Sequence, residues 1–256
     1  MESLILERDS GIVTITLNRP EKKNAVTTDM WRQLADLFVE IGRNTEDRVV
    51  VITGAGDAFC SGADLTDPSA LELHGLVRMR LIDQAAAALH RLPKPVIAKV
   101  NGVAAGAGCN LALGCDLIVA SDQARFSEIF SARGLSVDFG GSWLLPRLIG
   151  LHKAKELAFF AEVISAEETD RFGLLNRVVP ADELDAFVDG WARRLAAGPP
   201  LALSSTKLML NNAVSPSFEQ ALDAEAATQT VNFGSDDAAE AFRAFVEKRS
   251  PEFRGR

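Results

Sequence analysis

Apolar and polar positions alternate along the chain with two different periods. In "GIVTITLNRP" apolar residues alternate with threonines, which is typical of a strand with one buried face. The segment "TTDMWRQLADLFVEIGRN" has helical spacing and follows Thr27 or Thr28, either of which can cap a helix. "RVVVITGAG" and "PKPVIAKVNG" are continuous apolar runs and indicate buried strands. Because such strands alternate with helices, the pattern predicts an α/β fold whose repeated unit is two strands followed by a helix.

The pattern changes at Gly198-Pro199-Pro200, which is the clearest candidate for a domain boundary. We therefore predict a core over residues 1–198 and a mostly helical C-terminal region over residues 199–256. In that region "FEQALDAEAATQTVNF" and "AAEAFRAFVEKR" have apolar helical faces. Contact with another subunit is the natural use of such faces.

Composition and charge limit the classes of function. The chain has 256 residues, of which 47% are hydrophobic. No apolar run reaches the roughly 18 residues that a membrane span requires, so no membrane contact is expected. The start "MESLILERDSG" does not resemble a signal peptide. The net charge of −8 argues against a nucleic-acid surface, although one small phosphorylated ligand would need only a few local cations.

The cysteines and histidines are too few and too scattered to suggest a disulfide framework or a metal site. Cys60, Cys109 and Cys115 are odd in number and lie in apolar surroundings, which predicts free thiols and a cytoplasmic location. The three histidines are widely spaced, and no dense cluster of acidic residues offers a carboxylate-bound metal site. We therefore expect neither a metal nor a redox cofactor.

Two bends rich in small residues each follow a buried strand. They are "TGAGDAFCSGADL" at residues 53–65 and "NGVAAGAGCNL" at residues 101–111. Such bends leave backbone N–H groups unpaired, and two of them could direct two donors at one oxygen, forming an oxyanion hole. The alternative is that small residues only allow strands and helices to pack closely. Neither bend matches a dinucleotide or P-loop fingerprint, and "GGSWL" lacks the closing glycine of a nucleophile elbow.

Candidate acid–base residues lie downstream of these bends. Asp138 stands in the apolar, glycine-flanked stretch "GLSVDFGG", where a desolvated carboxyl group would have a raised pKa suited to proton transfer. The alternative is a turn aspartate that bonds its own backbone. Glu128 shares a predicted strand face with Phe130, which suggests a solvated or salt-bridged carboxylate rather than a catalytic one. Asn110 lies on the second bend but cannot exchange a proton.

Five segments occur in an order and spacing that resemble one known family. They are "LNRPEKKNAV", "FCSGADL", "KPVIAKVNGVAAGAGCNLALGCDLIVAS", "GGSWLLPRLIG" and "AFVEKRSPEFRGR". Together they resemble the crotonase superfamily, the enoyl-CoA hydratase/isomerase family, over nearly the whole chain. The resemblance implies a spiral of ββα units with a helical C-terminal trimerisation region, in a homotrimer or a dimer of trimers.

The resemblance also implies an acyl-CoA thioester as substrate, with coenzyme A entering as part of that substrate rather than as a separate cofactor. The thioester oxygen would become an enolate held by two backbone N–H groups, which the motifs match to Ala63 and Ala107. Positions expected to lie beside coenzyme A are Lys23, Ala25, Asp64 and Leu65. Phe245 and Arg254 match C-terminal positions that reach the nucleotide of a neighbouring subunit in the family.

The chain departs from the hydratases of the family at both of their catalytic glutamates. Asn110 and, in an ungapped alignment, Phe130 occupy those positions. Asp138 matches the position where several isomerases of the family carry a working aspartate. The resemblance thus favours an acyl-CoA isomerase in which Asp138 moves the proton and Asn110 orients substrate or water. Two alternatives stay open: an enoyl-CoA hydratase that uses Asp138 and a water held by Asn110, and an acyl-CoA binding protein without catalysis.

Overall fold

The computed structural model describes residues 2–213 and 216–256. The strands are β1 (Leu4–Asp9), β2 (Ile12–Leu17), β3 (Val49–Gly54), β4 (Ala58–Cys60), β5 (Val96–Val100), β6 (Val103–Ala105), β7 (Leu117–Ser121), β8 (Arg125–Ser127), β9 (Ile164–Ser165) and β10 (Arg177–Val179). The helices are α1 (Thr28–Arg43), α2 (Pro68–Glu72), α3 (Gly75–Arg91), α4 (Ala107–Leu113), α5 (Gly141–Phe160), α6 (Ala166–Arg171), α7 (Leu184–Ala196), α8 (Pro200–Asn212), α9 (Phe218–Phe233) and α10 (Asp236–Glu247). Thr27, one of the two candidate caps, caps α1 by accepting a hydrogen bond from the N–H of Met30.

The strands form two sheets that are built in parallel steps. One sheet has the order β1-β2-β3-β5-β7-β10 and is parallel except for the β1–β2 pair. The second has the order β4-β6-β8-β9 and is parallel except for the β8–β9 pair. Three times in succession a long strand of the first sheet is followed by a short strand of the second: β3 by β4, β5 by β6 and β7 by β8. The predicted α/β fold with repeated strand–strand–helix units is confirmed.

The six-stranded sheet separates two apolar cores, which explains the continuous apolar runs in the sequence. On β3, Val50 and Ile52 join the core that contains the buried faces of α1 and α3. Val49 and Val51 point the other way and pack in a second core with α7. A strand that is buried on both faces has no solvent-exposed face, so its apolar residues are consecutive in sequence.

The C-terminal region is helical, as predicted, and consists of α8, α9 and α10. The break between α7 and α8 falls at residues 197–199, next to the predicted boundary, while the division into two domains stays a prediction. Lys207 on α8 is held to the core by Asp116, at 2.7 Å, and by the carbonyl oxygen of Lys94, at 2.9 Å. Large apolar side chains remain exposed on α9 and α10, and their contact with another subunit also stays a prediction; they include Phe218, Val231, Phe233, Phe242, Phe245 and Val246.

Three features of the described residues concern membrane spans, metal sites and disulfide bonds. No helix in this part of the chain is both long and apolar enough to cross a membrane. Over residues 2–213 and 216–256, no group of three or more His, Cys, Asp or Glu side chains is arranged to hold a metal ion. Cys60, Cys109 and Cys115 are buried as free thiols.

Asn24 ties the loop after β2 to the bend after β3. Its side chain is fully buried, and its backbone is left-handed with φ of 57°. Its Oδ1 accepts the N–H of Arg19 at 2.9 Å, and its Nδ2 donates to the carbonyl oxygens of Ala55 at 2.9 Å and Ala58 at 2.7 Å. The three bonds hold the loop that carries Lys23 against the bend.

We expect Asn24→Ala to lower the free energy of unfolding by about 2 to 4 kcal/mol, because it leaves buried backbone groups without partners. Urea unfolding of both proteins measures the difference. Asn18→Ala is the matched control, since Asn18 donates one exposed bond to the carbonyl oxygen of Glu2. The control should lose less than about 1 kcal/mol. Equal losses in the two variants would contradict the role assigned to Asn24.

Candidate functional site

The first bend leaves one backbone N–H without a partner. Val26 and Ala63 form an isolated parallel bridge. In it, Val26 donates to the carbonyl oxygen of Gly62 at 2.8 Å, and Asp64 donates to that of Val26 at 2.9 Å. These bonds involve the carbonyl oxygen of Gly62 and the N–H of Asp64, the residues on either side of Ala63. No acceptor for the N–H of Ala63 lies within the described residues.

The second bend leaves another N–H free at the start of α4. Gly106 precedes the helix with φ of 54° and ψ of −128°, and no side chain caps it. Ala107 is the first residue of α4, and N–H groups of a first helical turn have no partner inside the helix. No acceptor for the N–H of Ala107 is found in the part of the chain that the structure describes.

Gly62 is the residue that lets the two bends approach each other. Its φ is +99°, and a Cβ atom at this position would lie 2.9 Å from the carbonyl oxygen of Ala105 and 3.5 Å from the nitrogen of Ala107. The segment that carries Ala63 therefore passes directly beside the start of α4. This approach places two backbone donors on neighbouring segments, as an oxyanion hole would need, while their convergence on one oxygen and the binding of an enolate there stay predictions.

A cavity of about 340 Å³ opens beside the first bend and contains Asp138. Its wall is mainly apolar, as an acyl chain requires, and the polar groups are few. The apolar lining residues include Val26, Trp31, Met79, Ile82, Leu135 and Val137, and the predicted site residues among the lining are Ala63, Asp64, Leu65 and Asp138. The fold thus brings one predicted enolate donor and the predicted acid–base residue to the same cavity.

Asp138 carries a desolvated carboxyl group. It immediately precedes Phe139 and the two glycines at which α5 begins. Its Oδ1 is buried and has no hydrogen-bond partner among residues 2–213 and 216–256. Burial raises the pKa of Asp138 to about 7, and the negative charge of Asp83 on α3 adds to the rise. The alternative of a turn aspartate bonded to its own backbone is not what the structure has.

Asn110 lies behind Asp138 rather than on the cavity wall. It is completely buried on α4. Its Nδ2 donates to the backbone carbonyl oxygen of Asp138 at 3.0 Å and to Oε2 of Glu128 at 3.3 Å. The observed partners of this amide are therefore protein groups, and a contact with substrate or water stays a prediction.

The interpretation of Glu128 as a solvated or salt-bridged carboxylate was wrong. The side chain is only 3% exposed, and no Lys, Arg or His of the described residues lies within 4.0 Å of it. Strand β8 ends at Ser127, so the alternation that was extended to Phe130 does not apply. Burial raises the pKa of Glu128 to about 7; interactions with Cys109 and Asn110 offset part of the rise, and the charge of Asp138 adds to it.

Of the four positions expected beside coenzyme A, Asp64 and Leu65 line the cavity, whereas Lys23 and Ala25 do not and lie on the neighbouring loop. Ser61 donates its N–H to the carbonyl oxygen of Lys23 at 2.9 Å, which sets the loop with Lys23 and Ala25 alongside the first bend. Asp64 forms an ion pair with Arg19 at 2.9 Å, and Leu65 is 58% exposed at the cavity. Their contact with coenzyme A stays a prediction.

Phe245 and Arg254 do not line this cavity. Phe245 is 83% exposed near the end of α10, and the main-chain N–H of Arg254 donates to Asp237 at 2.6 Å. Within one chain the fold does not bring these two residues to the cavity with Asp138, so their predicted contact with a nucleotide would have to involve a neighbouring subunit.

Gly141 is a site residue that the sequence analysis did not single out. A Cβ atom at Gly141 would lie 2.7 Å from both Cγ and Oδ1 of Asn110, so the amide of Asn110 rests directly on the start of α5. The glycine pair "GG" after Asp138 was the available signal, but only the packing distinguishes Gly141 from Gly140.

Comparisons with known proteins show which family the chain resembles over its length. Residues 7–256 match the family model described as enoyl-CoA hydratase/isomerase. The chain is 39% identical to the 1,2-epoxyphenylacetyl-CoA isomerase of Escherichia coli over 100% of both chains. It is 34% identical to the short-chain-enoyl-CoA hydratase of Clostridium acetobutylicum over 98% of this chain and 97% of that one. The crystal structure of an enoyl-CoA hydratase from Bacillus anthracis superposes with a TM-score of 0.95, at 30% identity and full coverage of both chains.

We expect Gly141→Ala to destabilise the protein by about 1 to 3 kcal/mol, because the added methyl group overlaps the amide of Asn110. Alanine normally stabilises a helix relative to glycine by up to about 1 kcal/mol, so the sign of the effect is informative. Gly190→Ala on α7 is the control, because nothing lies within 4 Å of the Cβ position there. Denaturant unfolding should give opposite signs for the two variants; stabilisation by both would contradict the close packing of Gly141 on Asn110.

Proposed function

The chain belongs to the enoyl-CoA hydratase/isomerase family, and we propose that it is an acyl-CoA isomerase that moves a double bond by proton transfer through a thioester enolate. The proposal rests on the surroundings of the carboxyl group of Asp138. It lines the apolar cavity together with Ala63, and its buried Oδ1 has no partner among the described residues. A carboxyl group whose pKa is about 7 can both take and return a proton near neutral pH.

In the proposed reaction the carboxylate of Asp138 removes a proton from the carbon beside the thioester carbonyl. The electron pair of that C–H bond forms a double bond to the carbonyl carbon, and the π pair of the carbonyl group moves to the thioester oxygen, which becomes an enolate oxygen and accepts hydrogen bonds from the N–H groups of Ala63 and Ala107. Asp138 then returns the proton to the far carbon of the allylic system, and the electrons move back to restore the carbonyl group. Removal of one oxyanion-hole donor typically costs about 10²- to 10³-fold in kcat.

Isomerisation needs one group that carries a proton, whereas hydration in this family uses two glutamates. The positions of those glutamates are occupied by Asn110 and by Phe130, which is buried and cannot exchange a proton. The family relatives include both isomerases and hydratases, so the family alone does not select between the two activities. The residues present at these two positions support the isomerase.

A second candidate function is an enoyl-CoA hydratase. The observation that favours it is Glu128, a buried carboxyl group with a pKa of about 7 whose Oε2 accepts a bond from Asn110. In that case Asp138 and a water held by Asn110 would act together, and Glu128 would accept the hydrogen bond that orients the amide of Asn110. A protein that binds acyl-CoA without catalysis is the third candidate, and it is an outcome of the test below.

The remaining expectations form part of the same proposal. Coenzyme A would lie along the edge formed by Lys23, Ala25, Asp64 and Leu65 as part of the substrate. Phe245 and Arg254 would reach the nucleotide bound to a neighbouring subunit of a homotrimer or of a dimer of trimers. The exposed apolar side chains of α9 and α10 support such an assembly, and the free thiols fit a reducing compartment such as the cytoplasm.

Asp138→Asn should lower kcat for the conversion of a 3-enoyl-CoA to the 2-enoyl-CoA by about 10²- to 10⁴-fold, because the amide cannot take the proton. The Kd for the CoA thioester should change by less than about threefold, since the amide keeps the shape of the side chain. For the wild-type enzyme, kcat should rise with pH on the acid side of about 7, since Asp138 must be ionised to accept the proton.

Asp36→Asn is the control, an exposed aspartate on α1. It should keep both kcat and Kd. Undiminished turnover by Asp138→Asn would contradict the mechanism. A wild-type protein that binds the CoA thioester but turns over neither a 3-enoyl-CoA nor a 2-enoyl-CoA would support the binding protein instead.

A further inference from the structure

Glu128 and Asn110 form a half-completed pair of hydrogen bonds. Nδ2 of Asn110 donates to Oε2 of Glu128 at 3.3 Å. The other oxygen of each group, Oδ1 of Asn110 and Oε1 of Glu128, is buried and has no partner among the described residues. Leaving two polar atoms buried and unpaired costs about 1 to 3 kcal/mol each.

The protonation state of Glu128 decides whether these atoms can pair. A carboxylate has no hydrogen to give, so it cannot satisfy the carbonyl oxygen of an amide. A neutral carboxylic acid can form two antiparallel bonds with an amide: the amide N–H donates to one acid oxygen, and the acid O–H donates to the amide oxygen. The first of these two bonds is present, and the two unpartnered oxygens would supply the donor and the acceptor of the second.

We propose that Glu128 is held as a neutral carboxylic acid whose O–H is donated to Oδ1 of Asn110, and that this acid–amide pair is the positioning device for Asp138. The link to Asp138 is the bond from Nδ2 of Asn110 to the backbone carbonyl oxygen of Asp138 at 3.0 Å. Glu128 acts through Asn110 and does not line the cavity. It is therefore a positioning residue rather than a catalytic one.

The charges around Glu128 agree with a neutral group. From α4 it is faced by the thiol of Cys109 and the amide of Asn110, and from the segment before α5 by Asp138. Asp83 on α3 adds a further negative charge next to Asp138. No cation of the described residues comes within 4.0 Å of Glu128 to stabilise an anion there, and burial has already raised its pKa to about 7.

The consequence for the reaction rests on the proposed isomerase. Asp138 must be ionised to remove the proton, while Glu128 must stay protonated to hold the amide of Asn110. Ionisation of Glu128 at higher pH would break the second bond and place a further negative charge near the enolate. Activity should therefore rise and then fall with pH, and the two apparent pKa values belong to the coupled pair.

The protonation of Glu128 can be measured without any activity. The infrared spectrum of the wild-type protein at pH 6 should contain a carboxylic-acid C=O band that is absent from Glu128→Gln, and the band should titrate with an apparent pKa near 7 rather than about 4.3. No band difference at pH 6 would overturn the proposal, and this result would leave the isomerase itself untouched.

Glu128→Gln is the conservative variant, because its amide can make the same two bonds with Asn110 and carries no charge at any pH. We expect its kcat at pH 7 to stay within about threefold of wild type and the decrease at alkaline pH to disappear. Glu128→Leu removes both bonds and should lower kcat by about tenfold or more. An alkaline decrease that persists in Glu128→Gln would overturn the proposal, and so would a loss of kcat as large as that of Glu128→Leu. If the leucine variant does not fold, the infrared spectrum and the glutamine variant still test the proposal.

Discussion

The amide of Asn110 connects α4 to the backbone of Asp138, the two parts of the site whose separation must stay fixed. It is completely buried on α4, whose first residue is Ala107, and it donates to the backbone of Asp138. The proposed enolate donor and the proposed proton carrier are therefore connected through one side chain. Gly141 leaves the space that this amide occupies, and Glu128 accepts a hydrogen bond from it. We expect a change at any of these positions to move Asp138 relative to the start of α4.

Burial of acidic groups is the second physical constraint on the site. Asp138 and Glu128 are both desolvated, and in each case burial is the largest cause of a pKa near 7. In water both carboxyl groups would be ionised at neutral pH and would exchange protons poorly with a carbon acid. The fold supplies the apolar surroundings because successive strand–strand–helix units stack their small-residue bends next to one another. The cavity that results is apolar on most of its wall and has Asp138 at its edge.

The fold was predictable from the sequence because its signals are local. The apolar run of β3 and the helical spacing of α1 each reflect the burial of one segment, and the break at Gly198-Pro199-Pro200 reflects turn residues between two helices. The resemblance to the family then supplied the spiral of ββα units and the choice of Ala63 and Ala107 as a pair of donors, which no local pattern contains. Asp138 was found because an acidic residue between glycines and apolar residues is unusual. Glu128 was misread because the alternation of β8 was continued beyond Ser127, where the chain leaves the strand. Asn24 and Gly141 were missed because their importance lies in contacts with residues distant in sequence.

The central claim is that one carboxyl group, Asp138, moves the proton at a site that lacks the two glutamates of a hydratase. The most direct measurement compares two rates on the same wild-type preparation: migration of the double bond in a 3-enoyl-CoA and addition of water to a 2-enoyl-CoA of the same chain length. We predict that isomerisation is faster than hydration by about a hundredfold or more, the contribution typical of one general acid–base group. Hydration as fast as isomerisation would contradict the claim and would mean that a second carboxyl group acts on water in this site.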